Sequence, residues 1–136
     1  MNMIPAKIQV RFRDCDVMGH VNNAVYLSYF EQARMHYFQQ MVGEEWDWKK
    51  NGIILVKNEV TYLKPILLTD VPEIHVYLKE IGNKSFTLYY KVFVEKKVVS
   101  TGQSKLVCFD FQTQKTVEVN PEMSKGLNKL EKVDHE

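Results

Sequence analysis

The sequence is poor in arginine: Arg11, Arg13 and Arg34 are the only guanidinium groups among 18 basic residues. That scarcity argues against the bidentate phosphate and base-edge contacts by which proteins read nucleic acid. Net charge is nearly absent as well, 18 basic residues against 17 acidic ones leaving +1. Neither a strongly basic nucleic-acid binder nor an acidic disordered tail fits that balance. Long apolar runs are missing, none approaching the ~20 residues that cross a bilayer. The start, Met1 to Lys7, lacks the apolar stretch of a secretory signal. Cysteine is limited to Cys15 and Cys108, far apart and in no CxxC pattern, which predicts reduced thiols in a cytoplasmic protein. The 4 prolines and 6 glycines form no linker, and no repeat or low-complexity tract interrupts the chain. What is present is 136 residues, 45% of them apolar, enough for one domain over 1–136 with an ordinary core.

Periodicity orders the elements. Ile8 to Phe12 alternates apolar and polar and predicts a first strand. Ala24 to Val42 switches to helical spacing, with Tyr26, Phe30, Ala33, Tyr37 and Met41 on one stripe and Leu27, Tyr29 and Phe38 widening it. Glu31, Gln32, Arg34, Gln39 and Gln40 are expected on the other faces. Asn22 or Asn23 is the expected N-cap, Gly43 the expected C′ residue, and the helix would be roughly 28 Å long. Period two then returns over Ile53–Leu63, over Ile74–Lys79, and from Phe86 to Glu95 after a Gly82-Asn83 turn. Lys96-Lys97 is expected to turn the chain into a long strand over Val98–Phe111. Met123, Leu127 and Leu130 predict a short amphipathic helix after Pro121. Strand, long helix and four successive strands predict an α+β domain with a mainly antiparallel sheet packed on the helix.

Asp14 to Asn23 carries more chemistry than a connection requires. Two carboxylates, a thiol, an imidazole and two carboxamides stand within ten residues, just ahead of a helix start. A helix start offers unpaired N–H groups and a positive dipole end that favour an anion or a developing oxyanion. A carboxylate beside it is ionised at neutral pH and can serve as nucleophile or general base. A purely structural reading stands next to this one, because acidic residues ahead of a helix stabilise it and asparagines cap it. A metal site built from Asp14, Cys15, Asp16 and His20 is disfavoured, since adjacent residues rarely converge on one ion and no HxxxH or CxxC spacing is present. No metal and no cofactor is expected.

The run Val10-Arg11-Phe12-Arg13-Asp14-Cys15-Asp16-Val17-Met18-Gly19-His20-Val21-Asn22-Asn23, with Tyr26 and the Phe30-Glu31-Gln32-Ala33-Arg34 stretch, resembles the hotdog-fold acyl-CoA thioesterases of the 4-hydroxybenzoyl-CoA thioesterase type. Tyr62-Leu63-Lys64-Pro65 and Gly82-Asn83-Lys84-Ser85-Phe86 are similar to later motifs of that family, so the likeness covers nearly the whole chain in order. The resemblance implies a hotdog fold, one long helix wrapped by a mainly antiparallel five-stranded sheet, and two subunits paired around the active sites. It implies hydrolysis of acyl-CoA to free acid and CoA. Asp16 would be the catalytic carboxylate and the backbone N–H of Asn23 the thioester activator. His20 has two readings, a residue that orients water or carbonyl and an ordinary turn histidine with a solvent-facing ring. The HVNN segment also resembles acyl-ACP thioesterases, but those enzymes carry asparagine where this chain has Met18. The expected partners are therefore an acyl-CoA or acyl-ACP substrate and further copies of the chain, as homodimer or homotetramer, without nucleic acid or membrane.

The remaining residues have plainer expectations. Asp14 is expected to brace its loop through backbone hydrogen bonds, and Cys15 to be a packed thiol, since no basic partner stands near it. Glu31 and Glu59 are alternative carboxylates. Lys64, Lys84 and Ser85, with Lys57, are the candidates for the coenzyme A phosphates. His36, His75 and His135 are read as surface or partly packed. A non-catalytic acyl-thioester binding module and a hotdog dehydratase are the competing functions, separable from hydrolysis by whether thiol is released.

Overall fold

The computed structural model describes residues 3–133. The chain runs β1 (Ala6–Lys7), a 3-10 turn (Phe12–Asp14), α1 (Val25–Val42), β2 (Gly52–Tyr62), β3 (Glu73–Ile81), β4 (Ser85–Val94), β5 (Lys97–Asp110), β6 (Lys115–Thr116) and α2 (Pro121–Leu127). The strands make one antiparallel sheet in the order β1-β3-β4-β5-β2, and the two-residue β6 adds to the end of β5. The expected α+β fold is present: a five-stranded antiparallel path curls around one long helix.

The helix–sheet contact follows from side-chain size. Tyr26, Tyr29, Phe30, Ala33, Tyr37, Phe38 and Met41 bury one side of α1. Ile74, Val76 and Leu78 of β3 and Phe86, Leu88, Tyr90 and Val92 of β4 meet it at the alternate positions that a pleated strand turns inward. Phe30 stacks on Tyr90 with ring centroids 4.3 Å apart and planes 8° from parallel. Beside Leu88, Tyr90 and Val92, β5 presents the small residues Ser104, Gly102 and Ser100, all buried. A Cβ on Gly102 would lie 2.4 Å from Phe30 Cε2, so the glycine admits the ring. Gly43, with φ +83°, ends α1 in a conformation that costs a glycine little. Asn120 caps α2 by accepting the Glu122 N–H at 2.8 Å, and Met123 and Leu127 seal the core as their spacing predicts.

Four local expectations are corrected. Ile8 to Phe12 is not a strand: Ile8 and Val10 are buried in alternation, but β1 ends at Lys7. The Ile8 N–H bonds to Pro72 O at 2.8 Å, and a proline has no N–H with which to continue the ladder. Neither asparagine is the N-cap of α1. Ala24 is, while Asn22 forms an Asx turn just ahead of it, its Oδ1 accepting the Ala24 N–H at 3.0 Å. The second hairpin turns at Glu95-Lys96, both at positive φ (51° and 67°), one residue earlier than expected. Arg34 is buried rather than solvent-facing, 4% exposed, with Nη2 3.6 Å from Glu31 Oε2 and the guanidinium beside Tyr90.

Candidate active site

The loop between the 3-10 turn and α1 is held at both ends by its own polar groups. Asp16 N–H donates to His20 O at 2.8 Å, and the Asp16 carboxylate folds back so that Oδ1 accepts the N–H groups of Met18 at 2.9 Å and His20 at 3.2 Å. Gly19, at φ +77°, lets the chain make this tight return. The returning strand bridges Cys15 to Val21, and Val21 N–H donates to Ile66 O at 2.8 Å. One carboxylate oxygen of Asp16 is thus pinned by backbone, while Oδ2 makes no hydrogen bond among the described residues.

The chain then enters α1 through Asn22, Asn23 and Ala24. Asn22 accepts the N–H groups of Ala24 and Val25, on its side chain and its carbonyl respectively. The Asn23 N–H makes no hydrogen bond among the described residues. Asn23 O accepts the Tyr62 hydroxyl at 2.8 Å, and the Tyr62 ring stands edge-on to Tyr26 at 4.8 Å. Tyr62 and Tyr26 thereby join the end of β2 to the start of α1.

These elements enclose an open pocket of about 230 Å3 whose lining includes Asp16, His20, Asn23, Tyr26, Tyr62 and Lys64. A carboxylate, an imidazole, an unshared backbone N–H and a lysine side chain thus face one space, with Asp16 exposed and His20 half-buried. Such a space can polarise a carbonyl from one side and deliver a nucleophile from another.

Four of the expected site residues, Asp16, His20, Asn23 and Lys64, are brought together. Lys84 and Ser85 are not. Tyr62 pairs with Ser100 and Ser85 with Val107, so roughly 23 Å of β5 separates the two groups at about 3.3 Å per residue. Lys57 is also remote from the pocket lining and pairs with Glu59 at 3.1 Å. The alternative carboxylates lie elsewhere: Glu31 reaches Arg34, and Glu59 accepts Gln103 Nε2 at 2.8 Å. His36 Nε2 lies 3.0 Å from Ile4 O, and His75 Nε2 lies 2.8 Å from Glu73 Oε1, both half-buried as expected. His135 lies outside the described residues.

Two electrostatic features mark the loop. Cys15 is half-buried, and burial together with the carboxylates of Asp14 and Asp16 pushes its thiol up, away from nucleophilic thiolate. Tyr29 donates its hydroxyl to Asp14 Oδ2 at 2.7 Å, and burial with that hydrogen bond holds the phenol far above its ordinary range. Tyr29 and Tyr62 are the polar contributors that the pattern alone did not single out. Both stand in apolar runs, where a tyrosine hydroxyl carries no periodic signal.

Residues 10–127 match the thioesterase-like superfamily. The chain belongs to that family. It is 30% identical over 129 residues to the long-chain acyl-CoA thioesterase FadM of Escherichia coli K12, covering 93% of this chain and 98% of that protein. A thioesterase from Thermus thermophilus, solved in complex with coenzyme A and zinc, superposes with a TM-score of 0.81 at 32% identity, over 94% of this chain and 93% of the other. A gentisyl-coenzyme A thioesterase shares the fold, with a TM-score of 0.82 at 22% identity over 90% of this chain and 98% of the other. The expected fold family and the enzyme class, a thioester hydrolase, are borne out. Among the described residues no helix is long and apolar enough to cross a membrane.

Proposed function

We propose that this superfamily member hydrolyses acyl-CoA thioesters in the cytoplasm at the pocket between the Asp16 loop, the start of α1 and the end of β2. The observation that carries the reading is the pairing of Asp16, with one free carboxylate oxygen, and the unshared Asn23 N–H on the lining of one pocket. The thioester oxygen rests against Asn23 N–H, where the dipole of α1 adds to the polarisation. One donor placed at a developing oxyanion contributes roughly 3–4 kcal/mol to the transition state.

Asp16 Oδ2 acts in one of two ways. As a general base it takes a proton from water while the water oxygen bonds to the acyl carbon. The carbon–sulfur bond then breaks, and the departing thiolate takes up a proton to become CoA. As a nucleophile it bonds to the acyl carbon and expels the thiolate, and water then hydrolyses the resulting anhydride. His20, at the mouth of the same pocket, orients the water or the carbonyl. CoA rather than acyl carrier protein is favoured by Met18, which stands where acyl-ACP thioesterases carry asparagine.

The functional unit is a homodimer formed along β2. The edge of β2 away from β5 has no strand partner among the described residues, and Leu55 and Val56 on it are 40% and 54% exposed. Two β2 strands running antiparallel about a two-fold axis near their midpoint bring the Lys84–Ser85 end of one sheet toward the Asp16 pocket of the other copy. That arrangement gives Lys84 and Ser85 a place beside the coenzyme A phosphates that they lack within one subunit.

The test is thiol release across short, long and aromatic acyl-CoAs and acyl-ACP, with Asp16→Ala beside the parent. Hydrolysis by the parent and loss of at least about 1,000-fold in Asp16→Ala is the expected result. Full activity in the variant removes Asp16 from the chemistry. Tight acyl-CoA binding without thiol release by the parent makes the chain a binding module.

A further inference from the structure

The loop that carries Asp16 is exposed at its tip, Asp16 to Gly19, and is tied down on both sides. The returning side is held by buried Val21, whose N–H donates to Ile66 O at 2.8 Å, and the entering side by Asp14. Its Oδ2 accepts the Tyr29 hydroxyl at 2.7 Å and the Arg11 N–H at 3.0 Å. Its backbone carbonyl accepts the Asn22 N–H at 2.8 Å. One residue therefore joins the segment entering the loop, the segment leaving it just before Asn23, and the second turn of α1.

Of those three partners only Tyr29 belongs to the rigid scaffold. It is 2% exposed, on the buried side of α1, and its ring lies 6.4 Å from that of Tyr26 in the pocket wall. Arg11 and Asn22 are exposed, and Asn22 bonds to the Asp14 carbonyl rather than to its side chain. Without the phenol, the Asp14 carboxylate keeps only the N–H of exposed Arg11. The ring fits the core as phenylalanine would, so the hydroxyl is the part that packing does not explain. A buried phenol that finds its hydrogen bond in a loop carboxylate two residues from Asp16 fixes where that loop stands relative to the helix.

We propose that Tyr29 is a positioning residue for hydrolysis: acting through Asp14, it sets the distance between the Asp16 carboxylate and the Asn23 N–H. This rests on the assignment of Asp16 and Asn23 above. The tether makes no contact with substrate, so it acts on kcat and leaves KM nearly unchanged. Productive geometry tolerates little displacement, and small shifts remote from the reacting atoms cost large factors in rate.

The experiment is a double-variant cycle of Tyr29→Phe and Asp14→Ala on the full chain. Thiol release from an acyl-CoA accepted by the parent is read well below each variant's Tm. Tyr29→Phe is expected to lose about tenfold in kcat and to keep KM within about threefold. The double variant is expected to be no slower than Asp14→Ala alone, because each change breaks the same bond. Parental kcat in Tyr29→Phe, or losses that multiply in the double variant, overturn the proposal. A Tyr29→Phe chain that does not fold assigns the hydroxyl to the core and overturns it as well. Asp16→Ala in the same series separates the two assignments: its loss of turnover together with an unimpaired Tyr29→Phe refutes the tether alone, whereas parental activity in Asp16→Ala refutes the site.

Discussion

Replacing Gly102 with alanine tests how α1 is seated on the sheet, and through it how the pocket is built. Gly102 pairs with Val60 of β2 and Tyr90 of β4. An added Cβ would lie 2.4 Å from Phe30 Cε2, 2.6 Å from Phe30 Cζ and 2.6 Å from the carbonyl oxygen of Glu59. Ordinary contact begins near 3.4 Å, so the Phe30 ring has to withdraw by about 1 Å. It has nowhere to go, being 0% exposed and stacked on Tyr90 at 4.3 Å, and the Glu59 oxygen is backbone of the paired strand. Overpacking of this kind costs typically about 1–3 kcal/mol, toward the upper end where backbone must move. Removing a glycine from the unfolded chain offsets roughly 0.5 kcal/mol of that, leaving about 2–2.5 kcal/mol. With 136 residues and roughly 2.1 cal/mol/K of unfolding entropy for each, the Tm should fall by about 7–9 °C. Calorimetry or a circular-dichroism melt measures it, and adding Phe30→Leu in the same chain should recover part of the loss. A Tm within about 2 °C of the parent would show that α1 is not locked at this point, and the packing argument would fail.

Two further outcomes follow from the geometry. Cys15→Ala should hydrolyse acyl-CoA at close to the parental rate. In the parent, alkylation of Cys15 should be slow at pH 7 and accelerate only at higher pH, because the raised pKa keeps the thiol protonated through neutrality; fast labelling at pH 7 with loss of activity would make Cys15 the nucleophile. Sedimentation equilibrium should give the mass of two chains, and a charge introduced on the β2 edge, Val56→Glu, should shift it toward one. A parent that sediments as a single chain removes the dimer and with it any role for Lys84 and Ser85 at the Asp16 pocket.

Much of the fold is legible because burial enforces period. The Tyr26–Met41 stripe defines α1 to within a residue at its start, since each of those side chains has to reach the core. β3 and β4 read cleanly because Ile74–Leu78 and Phe86–Val92 alternate against a helix on one face only. The reading failed where backbone partners decide the outcome. Ile8 and Val10 alternate as a strand should, yet the ladder stops because Pro72 stands opposite. Asn22 competes for the helix start with its own Asx turn. Arg34 carries a charge that predicts exposure, but its place on the helix turns it toward Tyr90 and Glu31.

The active-site candidates divide in the same way. The residue types from Asp14 to Asn23 determine the chemistry on offer, because a carboxylate and a backbone N–H need only be near in sequence to share a short loop. That Asp16, Asn23, Tyr62 and Lys64 face one pocket was decided by tertiary structure, which laid the end of β2 beside the start of α1 through the Tyr62–Asn23 hydrogen bond. The separation of Lys84 and Ser85 from that pocket was decided there too, since their distance depends on strand register along β5. Composition specifies which groups are available within one turn of chain, and register and packing specify which distant groups can meet. For this reason the candidate loop could be read from the sequence, whereas the hydrogen bonds by which Tyr29 and Tyr62 hold it could not.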